Sequence, residues 1–201
     1  MSSDKKNLRK TGKGTRAVHS GTSSSENSLN TPIFQSSTFF LDESAYKMWK
    51  EGKPRAPVYS RYNNPSLRAA EKKIAHLENA DDALVFSTGM AAISTTLLGL
   101  FSKGDHIVAS NDVYGGTYGL MTEDFTRFGI EISMADMRDV TSYEVAIQEN
   151  TKALYIETLT NPVLKVCDIF AFVELAKRHN LLLIVDNTFT TPWTTNPIEI
   201  G

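Results

Sequence analysis

Asp186 closes the apolar run Leu182-Leu183-Ile184-Val185 and is followed by Asn187-Thr188. On a central parallel strand this order puts a carboxylate at the C-terminal tip, where open α/β sheets hold their ligands. A carboxylate there needs a cation or strong hydrogen bonds. A protonated pyridine nitrogen meets that need. Two unit charges ~4 Å apart attract by about 4 kcal/mol at an effective dielectric near 20. At ~1.4 kcal/mol per pKa unit, that is roughly three units of gross support for a protonated ring. Such a ring is an electron sink for a carbanion at a substrate α-carbon.

Three other segments supply what the ring needs. In Ser87-Thr88-Gly89-Met90, glycine lets the backbone approach a ligand and a helix start offers free N–H groups, a natural seat for a phosphate. The spaced glycines of a dinucleotide fingerprint are missing, and no Gly-Lys-Ser/Thr of a P-loop follows. Tyr114, before Gly115-Gly116, can stack on a planar ring and exchange a proton through its phenol. Asn161, which Pro162 biases toward an extended conformation, can aim its amide at a ring oxygen. Each also has an ordinary explanation: a steric glycine, a loop tyrosine, a turn asparagine. Together with Asp186 they point to pyridoxal phosphate. Arg61, in Tyr59-Ser60-Arg61-Tyr62, can bind phosphate bidentately. If that segment reaches a second subunit, Tyr59 and Arg61 complete the neighbour's phosphate site; a surface arginine is the alternative.

These residues need a scaffold that brings distant loops together. From Pro65 on, strand and helix patterns alternate. Leu67, Ala70, Ile74 and Leu77 fall at helical spacing after Asn64-Pro65-Ser66. Ala83–Phe86 reads as a short buried strand and Met90–Phe101 as a buried helix. His106–Ala109, Ile130–Met134, Ala153–Ile156 and Leu182–Val185 read as strands. Thr117–Phe128, a helix through Gln148 capped by Thr141 and Glu144, and a helix from Asp168 through His179 lie between them. Short connections between alternating elements specify an α/β fold, a mostly parallel sheet with helices on both faces. Loops after its strands share one edge, so the candidate residues converge.

The N-terminal third differs. Residues 1 to about 14 carry Lys5, Lys6, Arg9, Lys10 and Lys13 and read as a solvated, disordered arm. From about Thr15 to Tyr62, aromatics appear without strand–helix alternation, as in an extended segment packed on something else, such as another subunit. The organisation expected is an N-terminal arm and inter-subunit segment over residues 1–62 and a cofactor-binding domain over 63–201.

With 201 residues and 41% hydrophobic content, the chain can build one sizeable core. A net charge of −2 argues against nucleic acid or anionic membrane as partners. No apolar run approaches the ~20 residues that span a bilayer, and no apolar h-region marks a secretory signal. The single cysteine, Cys167, fits a reducing compartment, read as cytoplasm. His19, His76, His106 and His179 show no paired-ligand spacing, so no metal site is expected. No Gly-x-Ser-x-Gly elbow exists for an α/β-hydrolase.

Tyr59-Ser60-Arg61, Asn64-Pro65, Ser87-Thr88-Gly89-Met90-Ala91, Asp112-Val113-Tyr114-Gly115-Gly116-Thr117, Thr160-Asn161-Pro162 and Val185-Asp186-Asn187-Thr188 resemble the cysteine/methionine-metabolism (transsulfuration) family of fold-type I pyridoxal-phosphate enzymes. The resemblance runs in matching order from about Thr15 to Gly201. It implies that Thr88, Gly89 and Met90 serve the phosphate, with backbone N–H groups from Gly89 and Met90. It implies that Tyr59 and Arg61 reach the partner subunit's phosphate and that Tyr114 stacks on the ring and assists proton transfer. Asn161 contacts the ring hydroxyl side, and Asp186 pairs with the pyridine nitrogen. The implied protein is a homotetramer, a dimer of dimers, acting on a small amino-acid substrate at the γ-position of cystathionine or an activated homoserine. Methionine γ-lyase and O-acetylhomoserine sulfhydrylase are alternatives within the family, and a non-catalytic truncated paralogue is an alternative outside catalysis. Two departures stand out. The lysine that binds the cofactor covalently is expected just beyond Gly201, as are the rest of the large domain and the arginine that grips the substrate carboxylate. Methionine γ-lyases carry a cysteine where this chain has Gly116, which argues against methionine as the dedicated substrate.

Overall fold

The computed structural model describes residues 11–21, 28–52 and 58–201. Most of the segment expected to be a disordered arm lies outside them. The chain divides into two compact units that meet in sequence at Val85 and Phe86.

Among its described residues the first unit has three helices: α1 (Lys13–His19), α2 (Glu43–Lys50) and α3 (Pro65–Leu77). The start of α3 is the one its sequence specifies. Pro65 occupies the first turn, and the Asn64 side chain accepts the Ser66 N–H at 2.8 Å. Buried Arg16 of α1 donates to the His76 carbonyl of α3 at 2.9 Å. Gly21 follows α1 at φ +70°, where a Cβ would collide with the Ala69 carbonyl. Helices α1 and α2 were not legible as such. In α2 the apolar residues Ala45, Tyr46, Met48 and Trp49 fall on one side, but the run is short, and only Ala45 is buried while Tyr46, Met48 and Trp49 are exposed.

The second unit is built on four parallel strands: β1 (His106–Ser110), β2 (Glu131–Ala135), β3 (Thr151–Glu157) and β4 (Leu182–Asp186), in the order β2-β1-β3-β4. Side chains alternate between the two faces. Val108, Leu154 and Ile156 pack under α7 (Val140–Ala146) and α8 (Ile169–His179), through Tyr143, Phe172 and Leu175. Ile107, Ala109, Ala153 and Tyr155 pack under α4 (Gly89–Leu100) and a second helical stretch, through Leu97, Met121 and Phe125. That stretch runs from α5 (Gly115–Gly119) through a π-helical turn (Leu120–Asp124) to α6 (Phe125–Arg127), starting two residues before the expected Thr117. A short helix α9 (Thr191–Thr194) follows β4.

The parallel α/β architecture is as expected, with four local corrections. Ala83–Phe86 joins no strand, and Leu84 and Phe86 are exposed. A strand needs a hydrogen-bonding neighbour, and none of the described residues provides one. Helix α4 is not buried all round: Leu97 is enclosed, but Leu98 and Leu100 stand about half exposed. Among the described residues β4 has a strand neighbour on one side only, where a central strand is expected, and its residues are partly exposed there. Finally, α7 ends at Ala146 and is capped by Asp139, whose side chain accepts the Thr141 N–H at 3.0 Å, in place of a Thr141–Glu144 box. Asp168 caps α8 as its sequence specifies.

Candidate active site

The C-terminal tips of β1, β3 and β4 and the N-terminus of α4 surround a cavity of about 190 Å³. Gly89, Met90, Tyr114, Asn161 and Asp186 all line it. Five of the residues singled out from sequence, from Gly89 to Asp186, therefore converge. Tyr59 and Arg61 lie in the first unit, where the Arg61 guanidinium sits 5.2 Å from the Tyr59 ring centroid and 5.4 Å from that of Tyr62.

At α4 the Thr88 hydroxyl accepts the Ala91 N–H at 3.0 Å. Its side chain is thus the helix cap rather than part of the cavity wall. The N–H groups of Gly89 and Met90 are left without an intrahelical acceptor, at the positive end of the helix dipole. This is an anion seat made from backbone.

Asp186 is gripped on both oxygens. Oδ1 accepts the Thr188 N–H at 3.0 Å and the Thr188 hydroxyl at 2.5 Å, and Oδ2 accepts the Tyr155 phenol at 3.2 Å. All three donors are neutral, so the carboxylate is oriented while its charge remains available to a cation in the cavity. Tyr155 is almost fully buried, and burial with the nearby Asp186 charge pushes its pKa up, so it stays a donor.

Tyr114 is held by its backbone. Its N–H donates to Glu157 Oε1 at 2.7 Å. Its ring lies close against Gly116: a Cβ there would come within 2.7 Å of Tyr114 Cε1 and 3.0 Å of Met90 Sδ. Glycine at 116 is what lets the ring take this position. Asn161 sits on a tight loop closed by Leu164 N–H to Thr160 O at 3.0 Å and Thr160 N–H to Lys165 O at 3.1 Å; the Asn161–Pro162 bond is cis. Lys165 then pairs with Asp112 of the neighbouring loop at 2.5 Å, joining the turns that carry Asn161 and Tyr114.

Sequence reasoning missed Tyr155, Glu157 and Thr188. Glu157 ends β3 as Asp186 ends β4, and the two are aligned in the parallel register. The rule that singled out Asp186, a carboxylate closing an apolar strand, applies equally to Glu157 after Ala153–Ile156. Burial raises its pKa, the Asp186 charge adds to the rise, and the backbone N–H groups of Tyr114 and Asn161 oppose it. Tyr155 gave no comparable signal, since an aromatic within a strand reads as core.

The profile of the Cys/Met metabolism PLP-dependent enzymes matches residues 14–201. The chain belongs to this family. Pyridoxal 5′-phosphate is the family's cofactor, and the residues present fit it: an oriented carboxylate without a cationic partner in its hydrogen bonds, a backbone anion seat and an aromatic ring share one cavity. Cystathionine γ-lyase of Bacillus subtilis is 42% identical over 94% of the chain and 48% of that protein. L-methionine γ-lyase of Fusobacterium nucleatum is 38% identical over 96% of the chain and 50% of that protein. The crystal structure of cystathionine γ-lyase from Lactobacillus plantarum complexed with L-serine superposes with a TM-score of 0.85 at 39% identity, over 95% of this chain and 48% of that one. The chain spans about half the length of the curated relatives it matches. No helix among the described residues is long and apolar enough to cross a membrane.

Proposed function

We propose that the complete protein is a pyridoxal-phosphate enzyme of transsulfuration that eliminates or replaces the γ-substituent of cystathionine or an activated homoserine. The observation that carries this reading is Asp186, oriented by neutral donors and facing the same cavity as the α4 N-terminus and Tyr114. When bound, the cofactor supplies an electron sink for the substrate's α-carbon. Asp186 keeps the pyridine nitrogen protonated. The N–H groups of Gly89 and Met90 hold the phosphate, with Thr88 fixing the helix end. Asn161 faces the ring hydroxyl. Tyr114 covers the ring and moves a proton at its phenol oxygen. By the resemblance, Gly116 favours cystathionine chemistry over dedicated methionine cleavage, because methionine γ-lyases carry a cysteine at that position; a side chain there would also press on the Tyr114 ring.

The protein works as a homo-oligomer, a tetramer of two dimers, in which Tyr59 and Arg61 reach the neighbouring subunit's phosphate. The outward-facing Tyr46 and Trp49 support this reading, and the single cysteine supports a cytoplasmic location. The test is to add pyridoxal phosphate to the complete polypeptide, reduce with borohydride and measure the intact mass, then compare substrates. One cofactor adduct on a lysine is expected, with kcat/KM for cystathionine or an O-acyl homoserine about tenfold or more above that for methionine. Absence of an adduct withdraws the enzyme reading. Methionine as the best substrate withdraws the argument from Gly116.

A further inference from the structure

Glu157 is 4% exposed at the tip of β3, aligned with Asp186. The function proposed above gives it no role. Burying one carboxylate beside another is costly, so what this one touches matters. Its Oε1 accepts the Tyr114 N–H at 2.7 Å, and the Asn161 N–H also favours its charged form. Tyr114 belongs to the loop after β1 and Asn161 to the loop after β3, so one side chain ties the two loops at the cavity. Tyr114 is also the residue that opens α5, and its own side chain makes no capping hydrogen bond there. The direction of its ring therefore follows from how its backbone is held, and Glu157 is the side chain that holds it.

We propose that Glu157 is a positioning residue that sets the Tyr114 ring over the cofactor, acting through the reach of its acceptor oxygen rather than through its charge. This rests on the cofactor reading above. The test compares Glu157→Gln with Glu157→Asp in the complete polypeptide. Gln keeps the length and an acceptor oxygen but loses the charge. Asp keeps the charge but draws the oxygen back by one methylene. The readouts are the dissociation constant for pyridoxal phosphate and the visible circular dichroism of the bound cofactor, which reports the ring's surroundings. Glu157→Gln should bind within about twofold of wild type with its dichroism retained. Glu157→Asp should bind about tenfold more weakly with an altered band. Loss of binding or of the band in Glu157→Gln overturns the proposal, and so does wild-type behaviour of Glu157→Asp. Failure of the wild-type protein to bind pyridoxal phosphate defeats the cofactor reading itself, and this inference with it.

Discussion

At the N-terminal ends of β1 and β3, His106 is fully buried, with Nδ1 2.7 Å from Thr151 Oγ1 and Nε2 2.9 Å from Ser133 Oγ. At the C-terminal ends, Glu157 and Asp186 stand side by side with their charges matched only by neutral donors. Both ends carry polar groups, but they differ in whether the protein itself completes them. Closing every valence around His106 stitches β1, β2 and β3 together and leaves nothing for a ligand. Orienting Asp186 without neutralising it leaves an electrostatic demand that a bound cation would fulfil. The same sheet is thus a fastener at one end and an open cavity at the other.

The comparison is broken most strongly at Asp186. Asp186→Asn keeps the shape and most hydrogen bonds but removes the charge, and kcat/KM of the complete protein should fall by about a hundredfold or more. A fall under threefold, measured by steady-state kinetics at saturating cofactor, would mean that the ring nitrogen is not its partner. Next is the fastener. His106→Ala opens a void, removes the hydrogen bond to Ser133 and leaves Thr151 Oγ1 with only the Gln148 N–H as partner, and should cost about 2–4 kcal/mol in urea unfolding.

The His106 titration sharpens the same point. Burial lowers its pKa from the ordinary 6.5, opposed by the Glu131 charge. The unfolded chain therefore takes up the proton first. The His106 contribution is fully present above about pH 6.5 and is lost as pH falls toward the lower folded value. Urea midpoints between pH 7.5 and 5.5 should decline more steeply in wild type than in His106→Gln (~pH range set by the histidine titration); parallel declines would assign the acid sensitivity elsewhere. A smaller effect is expected from Tyr155→Phe, which removes one of three donors to Asp186. Cofactor affinity should drop about three- to tenfold with little change in melting temperature, and an unchanged affinity would leave Thr188 as the sufficient anchor. The smallest effect concerns Cys167, buried beside the chain that leaves β3, where its N–H donates to Thr158 O at 3.1 Å, with its thiol pushed up to about 12 by burial and by the Asp168 charge. Iodoacetamide should leave the native protein unmodified at neutral pH, as intact mass would show; rapid labelling would mean that the region opens readily.

What the sequence made legible follows from which signals are local. Strands β1 and β3 carry the continuous apolar runs Ile107–Ala109 and Ala153–Ile156, and Asn64 and Asp168 are caps readable from residue type alone. Ala83–Phe86 has the same apolar character, yet its state depends on a neighbour that its own residues do not specify. Helix α2 escaped notice because its helical spacing is confined to the short run Glu43–Lys50, in a stretch without strand–helix alternation. At the site, Asp186, Tyr114 and the α4 turn were legible because charge, aromaticity and glycine are conspicuous beside turns. Glu157 and Tyr155 were not, because their importance lies in the register between strands, which sets Glu157 against Asp186 and lets the Tyr155 phenol reach it.

The missing side chain at Gly116 also has a consequence for how this site can vary. A methyl group there already intrudes on the Tyr114 ring and the Met90 sulfur. Positions 114 and 116 therefore form one unit of variation, and a substitution at 116 is simultaneously a displacement of the ring. Its effect on substrate preference has meaning only as a coupling energy, read from a double-mutant cycle in which both positions change.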